Sequence, residues 1–317
     1  MAANLAFVDP DHPPEGLRGI FFHGGLILFD GCYVAISIYQ TETTVSSNVR
    51  NKIYVIRLLD LMANQLHELG YRRMRASSLR PKHVRALVSL WKTQDVSIGT
   101  TKNRLSALRW WAEKVNKRSV VARSNDAYGI GSRQFVSNES KAKTLSPERL
   151  AKITDPYVRM SVRLQEALGL RREESIKFRP DYAIRESEIV LKGSWTKGGR
   201  PRAIPITSDA ERGLLREAKA LAGSGAMIPA DRSYVDQLHR YERQTAKAGL
   251  TKLHGLRHGY AQRRYRELTG RNAPAAGGKS SRELTAQEKA ADQAARLQIS
   301  TELGHSREQI TATYLGR

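Results

Sequence analysis

The sequence predicts a mainly α-helical protein with a small β-sheet, built as a helical domain followed by a mixed α+β domain. Apolar residues recur at three- and four-residue steps through most of the chain, which is the period of amphipathic helices. Between residues 183 and 206 the period changes to that of short strands around a glycine-rich turn. A length of 317 residues suggests two hydrophobic cores rather than one.

The composition indicates a partner with many negative charges. The chain has 53 Lys and Arg residues against 31 Asp and Glu residues, a formal net charge of +22. Such an excess repels itself in a compact protein, and a polyanion such as nucleic acid is the simplest reason to tolerate it. With 40% hydrophobic residues, the chain is too apolar to be disordered. A ribosomal or merely basic soluble protein is the alternative.

The chain has a single cysteine, Cys32. One thiol cannot form an internal disulfide, and the absence of a CxxC motif excludes a zinc finger. We therefore expect a reducing cytoplasmic location, in association with the nucleoid. Residues Met1–Pro14 carry no basic stretch ahead of an apolar core, so a secretory signal is not expected.

Residues 1–48 form an N-terminal extension to which the sequence assigns no role. Its segment Gly19–Gln40 is apolar, but a histidine, an aspartate and three internal glycines argue against a membrane span. We predict strands at Leu26–Phe29 and Tyr33–Ile38 around an Asp30-Gly31 turn. The alternative is that the segment is upstream sequence joined to the domain by a misplaced start codon.

Residues 49–120 are predicted to form a compact helical domain. We expect helices over Asn48–Leu69, from Arg80-Pro81 onward, and over Thr100–Val115, each with one apolar face. Basic residues on the third helix favour contact with DNA over a merely solvated face. The candidates are Lys102, Arg104 and Arg109.

A linker rich in glycine and serine is predicted over 121–145, ahead of a second domain over 146–317. Ser146 and Pro147 are residue types that favour the first positions of a helix, which marks the start of this domain. Further helices are predicted over Tyr157–Leu168, Ser208–Lys219, Tyr234–Gly249, Gly259–Leu268, Ala286–Leu297 and Ile310–Tyr314, strands over Ala183–Leu191 and Arg202–Ile206, and a polar loop over Asn272–Ser281.

Five short motifs of basic and hydroxyl-bearing residues occur in order along the second domain. Each motif alone is common by chance, whereas all five in this order, in suitable helix, hairpin or loop settings, are specific. They are Gly169-Leu170-Arg171-Arg172-Glu173-Glu174, Thr196-Lys197-Gly198-Gly199, Leu253-His254-Gly255-Leu256-Arg257-His258-Gly259, Glu302-Leu303-Gly304-His305, and Tyr314.

In their order and spacing these motifs resemble the tyrosine recombinase (phage integrase) family, strongly over 146–317 and weakly over 49–120. The resemblance implies a helical, SAM-like core-binding domain followed by the mixed α+β catalytic domain of the family. The insertion before Ala286 and the sequence at Ile299–His305 look like the subgroup carried by prophages and integrative elements of proteobacteria.

The resemblance makes Tyr314 the nucleophile, which attacks a DNA phosphodiester and stays linked to the 3′-phosphate. Arg171 and Arg257 then meet the negative charge of the non-bridging oxygens. Arg172 competes with Arg171, but only Arg171 has a glutamate three residues on, as the family pattern requires. We expect that glutamate, Glu174, to hold the Arg171 guanidinium, and Arg172 to contact backbone phosphates.

In the same resemblance, Lys197 is the general acid for the departing 5′-oxygen. Lys192 is its nearest competitor, at the end of the predicted strand. His254 donates to the scissile phosphate and assists proton removal from the tyrosine, while His305 donates to a non-bridging oxygen. His258 is expected to be a supporting residue rather than a catalyst.

The resemblance implies site-specific cutting and rejoining of DNA strands, for integration or excision of a mobile element. The expected partner is double-stranded DNA, and the expected working unit is a homotetramer on DNA with accessory directionality or DNA-bending proteins, and no membrane. No metal or cofactor is expected, because the basic side chains supply the positive charge. The rivals are DNA relaxation like that of type IB topoisomerases, and a non-catalytic DNA-binding protein with this fold.

Overall fold

The computed structural model describes residues 27–29, 32–34, 47–72, 74–75, 78–305 and 307–317. The chain divides into two units between Arg133 and Gln134, and each unit has its own hydrophobic core. The division falls inside the predicted linker.

The described part of the first unit contains two short antiparallel strands, β1 (Ile27–Phe29) and β2 (Cys32–Val34), and three α-helices. The helices are α1 (Ser47–Glu68), α2 (Pro81–Thr93) and α3 (Ile98–Lys114). Both predicted strands are confirmed over their described residues, and the second begins one residue earlier than predicted, at Cys32. The remaining residues of the two predictions and the turn between them lie outside the described residues. No helix in the described part of the chain is long and apolar enough to cross a membrane.

The first part of the predicted linker belongs to the helical unit. Val121 and Ile130 are buried in its core. The guanidinium of Arg109 on α3 donates to the carbonyl oxygen of Ala122 at 2.9 Å and to Oδ1 of Asn125 at 2.8 Å. These contacts hold the chain against α3 well beyond the end of that helix.

The second unit is mostly helical. Four of its longer helices begin at a polar capping residue; Asp155, for example, accepts the N–H of Val158 at 3.0 Å. The helices are α4 (Pro147–Ala151), α5 (Pro156–Leu168), α6 (Arg172–Lys177), α7 (Pro180–Ala183), α8 (Asp209–Ala222), α9 (Tyr234–Lys247), α10 (His254–Thr269), α11 (Ala286–Glu302) and α12 (Ala312–Leu315).

The small sheet pairs β3 (Glu188–Leu191) with β4 (Arg202–Pro205) in antiparallel register. The prediction of a strand from Ala183 is wrong at its start, because α7 ends at Ala183 and the strand begins only at Glu188. Pro180 takes the first helical position, which its fixed φ favours. The chain then reverses, and Ile184 forms a single antiparallel bridge with Ile189.

Helix α10 begins at His254, one turn earlier than the predicted start at Gly259. Gly255 and Gly259 lower the helix propensity, but they let another segment approach the helix closely. A Cβ at Gly255 would lie 2.7 Å from the carbonyl oxygen of Lys141, and one at Gly259 would lie 2.8 Å from that of Lys143. The segment that joins the two units therefore lies directly on the first turns of α10.

The loop predicted over Asn272–Ser281 is not uniformly polar and solvated. Ala273 is fully buried, and Pro274 and Ala275 are buried beside it in a short 3₁₀ turn. These small apolar side chains pack next to α12, so the first half of the loop belongs to the hydrophobic core of the second unit.

Gly169 joins α5 to the arginine motif and is predicted to be intolerant of a side chain. Its φ is +61°, and a Cβ would lie 2.6 Å from Cδ1 of Tyr260. We expect Gly169→Ala to lower the free energy of unfolding by about 2–4 kcal/mol, through backbone strain and overpacking. Urea unfolding followed by circular dichroism measures this change.

Gly213 in α8 is the matched control, because its backbone is helical and the nearest heavy atom lies 3.8 Å from a built Cβ. Gly213→Ala should raise stability by about 0.5–1 kcal/mol. Equal effects of the two substitutions would contradict the assignment of strain to Gly169.

Candidate active site

A buried carboxylate, that of Glu174, lies among the basic residues of the second unit. It is in the first turn of α6 and only 1% exposed. Its two oxygens accept hydrogen bonds from the guanidinium of Arg202 on β4, at 2.8 and 2.6 Å. Burial raises the pKa of a carboxyl, but the bonds and positive charge of Arg202, with Arg257 and Arg171 nearby, lower the pKa of Glu174 to about 2. Glu174 is therefore ionised at neutral pH.

Arg171 is held by the same carboxylate. Its backbone N–H and its guanidinium donate to the two oxygens of Glu174 at 2.7 and 2.8 Å. This confirms the predicted contact between the two residues. Arg172 instead forms a surface ion pair with Glu242 at 2.8 Å, and both of those side chains are about half exposed.

The guanidinium of Arg257, at the start of α10, is almost completely buried. It donates to the carbonyl oxygens of Gly169 and Leu303. Leu303 is the C-terminal cap of α11, where carbonyl groups lack helical partners and the helix dipole is negative. Burial and then the charge of Arg171 lower the pKa of Arg257 to about 10, so it remains charged at neutral pH.

Two guanidinium groups, those of Arg171 and Arg202, therefore share one carboxylate, and the buried Arg257 lies near enough for its charge to lower the pKa of that carboxyl. This arrangement, here called the arginine cluster, has a surplus of positive charge. The Nε atoms of Arg202 and Arg257 are buried without a hydrogen-bond partner among the described residues, while the side chain of Arg171 is 22% exposed. A phosphate group reaching Arg171 from solvent would offset the surplus charge.

Tyr314 on α12 lies beside the arginine cluster. Its hydroxyl oxygen is 3.3 Å from Nε2 of His254. Its ring stacks on His305 at 5.3 Å and lies 4.5 Å from the ring of His258, between ring centroids. The centre of the Arg257 guanidinium is 5.9 Å from the tyrosine ring. Residues from two other sequence motifs thus surround Tyr314.

The three histidines have pKa values below the usual range. Burial, followed by the positive charge of Arg257, lowers the pKa of His254 and brings that of His305 to about 3. Burial and the neighbouring His254 lower the pKa of His258 to about 4. All three rings are therefore neutral at pH 7, and each has one N–H donor and one bare nitrogen. With Nδ1 of His254 protonated, its Nε2 can accept the tyrosine proton.

Lys197 lies in the hairpin between β3 and β4. Gly198 and Gly199 adopt φ values of +87° and +72° and form its tight turn. Lys197 is exposed, and among the described residues no side-chain hydrogen bond or ion pair joins Lys197 or Lys192 to another group. The structure does not bring Lys197 to the arginine cluster, and its catalytic role stays a prediction.

The DNA-contact candidates of the helical unit also remain predictions. Arg109 already holds the segment after α3. The guanidinium of Arg104 lies 5.2 Å from the ring of Trp91, and burial lowers its pKa. Lys102 is half-buried on the same helix.

Arg202 is a site residue that the sequence motifs do not predict. The alternation of side chains along a strand could have predicted its burial, because Arg202 and Ile204 lie on the same, buried face of β4 and Ala203 lies between them in sequence. An arginine on the buried face of a strand requires an internal anion. Gly304 makes room for it, since a Cβ there would lie 2.8 Å from Cδ of Arg202.

Two family models match the chain. The model described as Integrase matches residues 129–263, and the model described as Phage integrase, N-terminal, matches residues 45–120. No curated protein matches the chain in sequence.

Solved structures of lambda integrase have a similar fold. A lambda integrase dimer bound to a COC′ core site is 15% identical over 87% of this chain and 74% of that chain, with a TM-score of 0.53. A lambda integrase tetramer bound to a Holliday junction is also 15% identical over 87% and 74%, with a TM-score of 0.52. At this identity the likeness establishes the fold alone. The two family models together cover more than half of the chain, and both describe integrase domains. The chain belongs to the tyrosine recombinase (phage integrase) family of site-specific DNA recombinases.

Proposed function

We propose that this chain cuts and rejoins DNA strands through a 3′-phosphotyrosyl intermediate on Tyr314, in the integration or excision of a mobile element. The observation that supports this most strongly is the Tyr314 hydroxyl, placed against His254 beside the arginine cluster. A nucleophile, a proton acceptor and a preformed cationic site are the parts that metal-independent phosphoryl transfer requires.

In the first step, Oη of Tyr314 attacks the scissile phosphorus and the bond from phosphorus to the 5′-oxygen breaks. The tyrosine proton passes to Nε2 of His254. Its low pKa keeps this imidazole neutral at pH 7, so it is free to accept the proton.

The transition state places additional negative charge on the non-bridging oxygens. Arg171 offers the most exposed guanidinium of the cluster to these oxygens, and the buried Arg257 adds fixed positive charge behind it. Because Glu174 and the Leu303 carbonyl hold both groups in place before DNA arrives, little reorganisation accompanies the reaction. His305, stacked on the tyrosine, donates a further hydrogen bond.

The departing 5′-oxygen needs a proton. Lys197 supplies it from the exposed hairpin once that hairpin lies against DNA, with Lys192 as the competing candidate. In the rejoining step, the 5′-hydroxyl of another strand attacks the phosphotyrosyl phosphorus and gives its proton to the lysine left neutral by the first step. The bond from phosphorus to Oη of Tyr314 breaks, and the tyrosine takes back its proton from His254.

The proposed partner is double-stranded DNA in the nucleoid, with four copies of the chain exchanging strands between two sites. Lambda integrase, which shares the fold, has been seen as a tetramer on a Holliday junction, and this supports the same assembly here. Accessory directionality or DNA-bending proteins would set the choice between integration and excision. The proposed contacts to backbone phosphates are Lys102, Arg104, Arg109 and Arg172.

Tyr314→Phe should abolish the covalent protein–DNA adduct while leaving DNA affinity unchanged, because it removes only the attacking hydroxyl. The probe is a library of nicked duplexes with a randomised central segment, from which adducts are captured after denaturation in detergent. Tyr182→Phe is the control, since it removes a hydroxyl from a partly exposed tyrosine of the same unit. An adduct that survives Tyr314→Phe would contradict the proposal.

The histidines make stability depend on pH. Their folded-state pKa values of about 3 for His305 and about 4 for His258 lie below the usual value near 6.5, so the unfolded chain binds more protons between these values. We expect the contribution of these neutral histidines to the free energy of unfolding to be complete above about pH 6.5. The free energy of unfolding should then decrease as the pH falls towards 4.

The ring protons observed by NMR provide the direct measurement. His305 should stay neutral at pH 5 in the free protein, and its pKa should rise when DNA places a phosphate beside it. The urea-unfolded chain is the internal control, in which every histidine should titrate near pH 6.5. A pKa of His305 that is unchanged by DNA would contradict its contact with the phosphate.

A further inference from the structure

The short helix that carries Tyr314 cannot fix its own position. Helix α12 spans only Ala312–Leu315, and a single turn is not stable alone. Its last carbonyl groups have no partners within the helix, so other side chains must hold the segment that contains the nucleophile.

Three side chains hold the backbone of this segment. Gln262 on α10 donates to the carbonyl oxygen of Tyr314 at 3.0 Å. Arg296 on α11 donates to that of Gly316 at 2.9 Å. The amide of Asn138 makes two bonds to one residue, accepting from the N–H of Arg317 at 2.9 Å and donating to its carbonyl oxygen at 3.0 Å.

Asn138 differs from the other two because it is not on a core helix. It lies in the segment that joins the two units, shortly after their boundary at Arg133. This segment is held on α10 by a hydrogen bond from the N–H of Lys143 to the carbonyl oxygen of Gly255 at 2.9 Å. The hydroxyl of Ser140 donates to Gln262 at 3.0 Å, which links the segment to the same carbonyl contact on Tyr314.

The fit around Asn138 is close. A Cβ at Gly316 would lie 2.6 Å from Oδ1 of Asn138 and 2.7 Å from the backbone nitrogen of Ala275. Gly316 has a φ of +78°, which favours glycine, and Leu315 is fully buried. The segment after Tyr314 is thus seated between the joining segment and the buried half of the 272–281 loop.

We propose that Asn138 is a positioning residue for strand cleavage, which seats Tyr314 beside His254 by holding the backbone of Arg317. The proposal rests on the proposed function of Tyr314 as the nucleophile. Asn138 touches neither the tyrosine hydroxyl nor the arginine cluster, so it acts only through the placement of α12. A change in the path of the joining segment is thereby transmitted to the nucleophile.

The test compares three variants of the full chain. Asn138→Ala removes both hydrogen bonds. Asn138→Asp keeps the acceptor for the Arg317 N–H but loses the donor to its carbonyl oxygen. Ser137→Ala is the matched control, because it removes a neighbouring side-chain polar group that makes no side-chain hydrogen bond to a described residue.

The first measurement is hydrogen exchange of the 311–317 backbone amides in the absence of DNA. The second is the single-turnover rate of adduct formation at saturating concentration of one duplex selected from the randomised library. For Asn138→Ala we expect exchange to rise and cleavage to fall, each by about tenfold, with an unchanged half-saturating DNA concentration. Asn138→Asp should be intermediate, and Ser137→Ala within about twofold of the parent protein.

The proposal is overturned if Asn138→Ala leaves either exchange or cleavage unchanged, if it weakens DNA binding as much as cleavage, or if Ser137→Ala has the same effect. The failure of the proposed function is distinguishable. In that case the parent protein forms no adduct with any duplex, while the exchange measurement still decides whether Asn138 holds the segment.

Discussion

The arrangement of the second unit depends on one buried carboxylate. An ionised Glu174 without partners would cost several kcal/mol inside the protein, so its burial requires cations from neighbouring elements. Arg202 joins the small sheet to Glu174 by an ion pair, and Arg171 pairs with Glu174 from the N-terminus of α6. Removing the carboxylate would leave those guanidinium groups close together with nothing between them. The same contact that stabilises the fold therefore keeps a positive site in place for a phosphate.

The helices behind the site are joined by two similar networks. Glu302 on α11 accepts from the hydroxyl of Tyr260 at 2.7 Å and from the guanidinium of Arg264. Asp292, on the same helix, accepts from the hydroxyl of Tyr265 at 2.6 Å and from Arg296. Burial raises the pKa of Tyr265 to about 12 and that of Tyr260 well above its usual value. These tyrosines are therefore hydrogen-bond donors that orient α11.

Sequence reasoning was most informative where chemistry is encoded locally. The choice of Arg171 over Arg172 followed from a three-residue spacing, which the backbone of α6 turns directly into contact with Glu174. The pairing of Arg202 with Glu174 joins separate elements and needed the additional step of asking what an inward-facing arginine on a strand would bind. Helix propensity does not predict the early start of α10, because it counts the glycines as unfavourable, whereas close packing of the joining segment requires them. No local pattern could have placed Asn138 on Arg317, since these residues are 179 positions apart.

The central claim is that the arginine cluster, assembled around Glu174, meets the negative charge of the scissile phosphate. The most direct measurement compares adduct formation on a phosphodiester with that on a methylphosphonate, in which a neutral methyl group replaces one charged oxygen. Arg171→Ala should lower the rate on the phosphodiester by about a hundredfold relative to the parent protein, and by about tenfold or less on the methylphosphonate. Arg172→Ala, from the surface pair with Glu242, should be insensitive to the change of substrate. An equal loss on both substrates for Arg171→Ala would contradict the account.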